Sequence, residues 1–112
     1  MDSHDDTAII ALCRKMRAVC QEEDRIIREA EFAPNIPAAL EAAQTRLAAA
    51  IARTKPPTTP DGIRALAEVA MEFVYDEDLK RPHVLADWFK LAALLAAAGK
   101  HDRFPPISLP KH

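Results

Sequence analysis

The sequence predicts an all-α fold, a four-helix bundle led by a long antiparallel helical hairpin and followed by an extended, proline-rich C-terminal tail. Three observations predict it. Only two of the 112 residues are glycine. The nine prolines fall at the borders of the apolar-periodic stretches rather than in their middles. Within those stretches apolar residues recur at intervals of three and four, the period of one helix face. The length suits one domain, expected over 1–100, with 101–112 as the tail. Apolar residues make up 49%, but 22 of them are alanine, so the core is small.

The first helix is expected to begin near Asp5, Asp6 or Thr7, where a short polar side chain can cap and negative charge suits the dipole. Its seam reads Ile9, Leu12, Cys13, Met16, Val19, Cys20, Ile26, Ile27 and Ala30, a heptad pattern interrupted at Glu23. Pro34 and Pro37 end it. A helix from Asp6 to Phe32 is about 40 Å long at 1.5 Å per residue. The second helix follows Asn35 as cap candidate, with Pro37 in its first turn. Its seam is Ile36, Leu40, Ala43, Leu47, Ala50 and Ile51, and it stops before Pro56-Pro57. The short connection makes the two helices antiparallel neighbours.

The third helix has the clearest start: Thr59 to cap, Pro60 at the first helical position, Asp61 at the positive end of the dipole. Its seam is Ile63, Leu66, Ala67, Ala70 and Val74, flanked by Val69 and Phe73. The carboxylates of Asp76-Glu77-Asp78 oppose the dipole at a helix C-terminus, so the helix is expected to end near Tyr75. The fourth starts at Pro82, runs through Val84, Leu85, Trp88, Leu91, Ala92 and Leu95, and stops at Gly99, a residue suited to the left-handed conformation. The tail, with its prolines and no period, reads as extended.

Composition also sets functions aside. The net charge is -2, whereas nucleic-acid binders usually carry a basic excess. The longest apolar run, Leu91 to Ala98, falls far short of the ~20 residues of a membrane span. The acidic, polar start of the chain is unlike a signal peptide. Cys13 and Cys20, seven apart on one helix, lie about 10 Å apart along its axis, too far for a disulfide. A cytoplasmic location and buried core thiols are therefore expected.

In the middle of the chain, Ala39-Leu40-Glu41-Ala42-Ala43-Gln44, Leu47, Ile51-Ala52, Thr58-Thr59, Gly62-Ile63 and Ala65-Leu66-Ala67 resemble a loose group of short, alanine-rich helical bacterial proteins of unassigned function. The resemblance covers roughly residues 7 to 75. It implies an all-α fold and neither a catalytic residue nor a cofactor.

Few constellations point to chemistry. Arg14, Arg17, Arg25 and Arg28 project within about an 80° arc at 100° per residue. They read either as a solvated face with local pairs to Glu22 and Asp24 or as a grip for an acidic partner or phosphates. Glu23, alone in the apolar seam, is expected to pair across the hairpin with Arg46, or failing that Arg53, and so to set its register. No Glu-x-x-His pair, phosphate loop, nucleophile elbow or Cys-x-x-Cys occurs. His83 and Asp87, at i and i+4, suit a surface hydrogen bond better than a metal. No metal, cofactor or enzymatic activity is expected. Phe73, Phe89 and Leu94 exceed what one seam per helix can use, and Ile107 sits with Phe104 in a tail that either serves as a ligand or folds back on the bundle. These four, Phe73, Phe89, Leu94 and Ile107, are the interface candidates. The sequence thus predicts a non-enzymatic protein–protein interaction module, an adaptor or regulator that forms a homodimer through the first helix or through the face of the third and fourth helices. The alternative is a nucleic-acid-associated regulator using the arginine row.

Overall fold

The computed structural model describes residues 6–31, 35–74, 83–100 and 102–107. Four helices account for most of them: α1 (Thr7–Glu29), α2 (Ala38–Arg53), α3 (Pro60–Val74) and α4 (His83–Ala97). No strand occurs among the described residues. The helices pack as an all-α bundle in which α1 lies against α2 and α3, and α3 lies against α4. None of the described helices is long and apolar enough to cross a membrane.

α1 takes the predicted heptad seam. Ile9, Cys13, Met16, Cys20 and Glu23 are buried, at alternating spacings of four and three. The helix ends earlier than expected, because Ala30 is already extended at φ -75° and ψ 131°. Asp6 occupies the N-cap position, but its side chain makes no bond to its own helix. The carboxylate reaches instead to the start of α3, accepting the backbone N–H groups of Thr58 (3.1 Å) and Thr59 (2.8 Å) and the Thr59 hydroxyl. Thr59 Oγ1 in turn accepts the Gly62 N–H at 3.1 Å, the N-cap bond predicted from Thr59-Pro60-Asp61. Gly62 is buried here for lack of space: a Cβ on it would collide with the Asp6 carboxylate and lie 2.8 Å from Pro57 Cβ. This clasp fixes the direction of α3. Its first turn meets Asp6 while Glu68 and Glu72 meet Arg17, so α3 runs parallel to α1.

α2 departs from the sequence reading in phase. Pro37, not Asn35, holds the N-cap position, and no side chain caps the helix. Its buried residues are Gln44, Ala48 and Ile51, while Leu40, Ala43, Leu47 and Ala50 are only half-buried. Taken in order outward from the turn, the buried residues are Glu23, Cys20 and Met16 on α1 and Gln44, Ala48 and Ile51 on α2. Position 46 then lies roughly 200° around the helix from Gln44, facing water. Arg46 and Arg53 are indeed exposed, and neither forms an ion pair with a described residue. The expected Glu23–Arg46 pair, with Arg53 as substitute, is therefore replaced by a buried Glu23 and a buried Gln44 whose amide nitrogen has no hydrogen-bond partner among the described residues.

α4 ends as predicted at Gly99, with φ 83°. The Gly99 N–H donates to Ala96 O (3.1 Å) and the Lys100 N–H to Leu95 O (2.9 Å), the two crossed bonds of a Schellman stop. The chain then turns back over the bundle. Phe73 of α3 stacks on Phe89 of α4 (centroids 5.2 Å apart), Trp88 meets Phe89 edge-on (5.1 Å), and Phe104 lies 5.3 Å from Trp88. The Trp88 Nε1–H donates to Pro105 O at 2.9 Å. Phe73, Phe89 and Phe104 all belong to the core, and Ile107 packs against it. Two expectations change as a result. Phe73 and Phe89 are not interface residues, because α3 sits between α1 and α4 and buries two faces rather than one. Residues 104–107 of the tail fold back on their own bundle, so Phe104 completes the domain from beyond its expected boundary at residue 100. The readings placed on Asp5, Pro34, Tyr75, Asp76-Glu77-Asp78, Pro82, the His83 and Val84 side chains, and 108–112 lie outside the described residues.

Two stability experiments follow from this packing. Gly→Ala within a helix ordinarily gains ~1 kcal/mol. Here G62A should instead destabilise by about 1–3 kcal/mol in urea unfolding, as overpacking does. In a D6A background part of that loss should disappear, a non-additivity that a double-mutant cycle reads directly; simple additivity would mean that the clasp does not compress Gly62. In the hairpin, Q44L should raise stability by about 1 kcal/mol by removing an unsatisfied buried donor. R46A should change it by less than about 0.5 kcal/mol.

Candidate functional site

The four arginines of α1 do not act as one strip. Arg14, Arg25 and Arg28 are exposed, but Arg17 is half-buried and turned toward α3. It bridges to Glu68 at 3.5 Å and Glu72 at 3.4 Å. The reading of all four as one solvated face therefore fails at Arg17, which ties α1 to α3. Arg25 is held within its own helix. Its Nε and Nη2 donate to Glu22 at 2.7 and 2.6 Å, and Nη1 to Glu29 at 2.5 Å. Those hydrogen bonds hold the Glu22 carboxyl below its ordinary range and make the guanidinium harder to deprotonate. Both partners are on the surface, so the arrangement stabilises helix α1 only modestly.

What the structure adds is Arg64. Because α3 runs parallel to α1, Arg64 comes from α3 onto the groove that Arg14 and Arg17 line from α1. Asp61 and Glu68 share the α3 wall, and Ile10, Cys13 and Ala65 complete the lining. The groove has a volume of about 330 Å³ and is open along one side. Arg14 and Arg64 are exposed and form no ion pair with any described residue. A second, shallower depression, lined by Arg17, Glu68, Met71 and Glu72, continues along the same pair of helices. Arg64 was invisible as a site residue because nothing local to α3 reveals which helix it faces. A usable signal existed: once Thr59 sets the start of α3, Arg64 and Glu68 fall at i and i+4 on the side away from Leu66 and Phe73.

Cys13 is buried in the bundle, a setting that favours the neutral thiol over the nucleophilic thiolate. Burial, with a smaller effect of the Glu68 charge, pushes its pKa up to about 12. Cys20 is also buried, and both cysteines are free. Among the described residues no group of three or more His, Cys, Asp or Glu side chains could hold a metal ion.

The α4 surface is the other feature of note. Leu94 is 68% exposed and Leu91 47%, three residues apart on one face, with exposed Asp87 and Lys90 beside them. Of the four interface candidates, Leu94 alone stands on the surface. Leu91, which the seam had assigned to the core, joins it.

The thiol chemistry gives a direct check. In the folded protein Cys13 and Cys20 should resist alkylation at pH 8 and react only on unfolding. Because the folded-state pKa of Cys13 lies above the ordinary value of 9.0, the fold favours the protonated thiol. Its contribution to stability is complete below pH 9 and declines as the pH rises toward 12, by about 1.4 kcal/mol per unit at most. A C13A variant should show a shallower alkaline decline in urea unfolding.

No protein-family model, curated protein or solved structure matches the chain.

Proposed function

We propose that the protein is a small non-enzymatic interaction module, an adaptor or regulator, that self-associates as a homodimer through α4. The observation that carries this reading is the pair Leu91 and Leu94. A bundle this small needs its large apolar residues for its own core, and here it places two of them on one exposed helix face. Exposed Asp87 and Lys90, of opposite sign, supply a polar edge suited to a self-complementary contact. The buried free cysteines fit a reducing, cytoplasmic setting.

The alternative, a nucleic-acid-associated regulator using the arginine row, has less support. Arg17 and Arg25 are already engaged by four carboxylates in all, from Glu22, Glu29, Glu68 and Glu72. A phosphate backbone would have to compete with them.

Sedimentation-velocity centrifugation at micromolar concentration tests the proposal. The expected result is one species near twice the 12.4 kDa chain mass, converted to the monomer by L91E/L94E with helix content unchanged. A single species of chain mass for the unmodified protein overturns self-association.

A further inference from the structure

We propose that the α1/α3 groove is a docking site for an extended segment of a partner protein, which presents a single carboxylate, among uncharged residues, to Arg14 and Arg64. The proposal rests on the interaction-module reading and names the partner's chemistry; it does not depend on α4. Two guanidiniums from different helices border one groove, both exposed and both without an ion pair to a described residue. Guanidinium groups are suited to bidentate recognition of a carboxylate, and two of them can share one group from opposite walls.

The remaining charges narrow the ligand. Asp61 and Glu68 stand in the same groove, and Glu72 just beyond it. A polyanion laid along α3 would meet these carboxylates in succession, whereas a single carboxylate among uncharged residues would meet only the arginines. The same argument disfavours a nucleic-acid backbone. The shape suits a peptide. The depression beyond Arg17 continues the groove toward Met71, which is 50% exposed. From Arg64 to Met71 is seven residues of helix, about 10 Å, the span of roughly three residues of extended chain. A segment with Asp or Glu followed two to four positions later by an apolar residue would place its carboxylate at the arginines and its apolar side chain on Met71.

Selection of a displayed library of random linear peptides on the folded protein tests this. The expected outcome is enrichment of Asp or Glu with an apolar residue two to four positions away. Synthetic peptides of the selected sequence should bind R14E/R64E at least about tenfold more weakly, with the circular dichroism of that variant unchanged. Binding to L91E/L94E should be retained, so loss of self-association and loss of this site are read separately. Absence of acidic enrichment, or affinity that survives R14E/R64E, overturns the proposal. Displacement of the selected peptides by millimolar phosphate, but not by acetate at equal ionic strength, would make this a phosphate site and overturn it as well.

Discussion

The bundle depends on one carboxylate. Asp6 sits where α1 begins, yet it satisfies donors at the start of α3, which otherwise leave orphan N–H groups facing a buried corner. The helix that would conventionally use this side chain does without it. Through Thr59 the same carboxylate is linked to the cap bond at Gly62. Because the contact joins residues 53 positions apart, it sets the direction of α3 relative to α1, and with it the facing of Arg64, Glu68 and Glu72. A glycine in the first turn of a helix is an expensive residue for a helix former; here the close approach of Asp6 and Pro57 explains it.

The hairpin obeys a different constraint. Glu23 and Gln44 interrupt the apolar contact of α1 with α2, and polar groups removed from water contribute little net stability while limiting which registers are tolerable. Of the buried α2 residues only Ile51 is a large apolar one, beside Ala48 and Gln44, so α2 contributes little apolar volume to the contact. Beyond this level Ile26, Ile27 and Leu40 are only half-buried, which leaves the turn end of the hairpin less well packed than the end that α3 covers. The aromatic part of the core lies elsewhere, where Phe73, Trp88, Phe89 and Phe104 join α3, α4 and the tail.

Features set by local chemistry were legible in the sequence. The start of α3 at Thr59-Pro60-Asp61 and the stop of α4 at Gly99 depend on residues within one turn, and both are found where expected. The α1 seam was legible because cysteine, methionine and isoleucine contrast with the charged residues around them. The phase of α2 was legible only at Ile51, which is buried as its place in the seam required; alanines on every side give Ala43, Leu47 and Ala50 no advantage over Gln44 and Ala48. Phe73 and Phe89 were misplaced by assuming one contact face per helix, although α3 has neighbours on two sides. The groove was hidden for a related reason. Arg14 and Arg64 line one groove only because α3 runs parallel to α1, and no spacing along the chain encodes that direction.

The clasp also bears on the order in which the molecule can assemble. Bringing Asp6 to Thr59 closes a loop of some fifty residues, and an unstructured loop of that length is an entropic obstacle that grows with the logarithm of its length. The α1/α2 hairpin lies inside that loop. Once it has zipped through near-neighbour contacts, the two ends to be joined are already close together, and little disorder remains to be lost. A chain that forms the hairpin early would therefore seat α3 quickly. Seating the aromatic cluster would come last, because Phe104 is supplied by the final stretch to be docked.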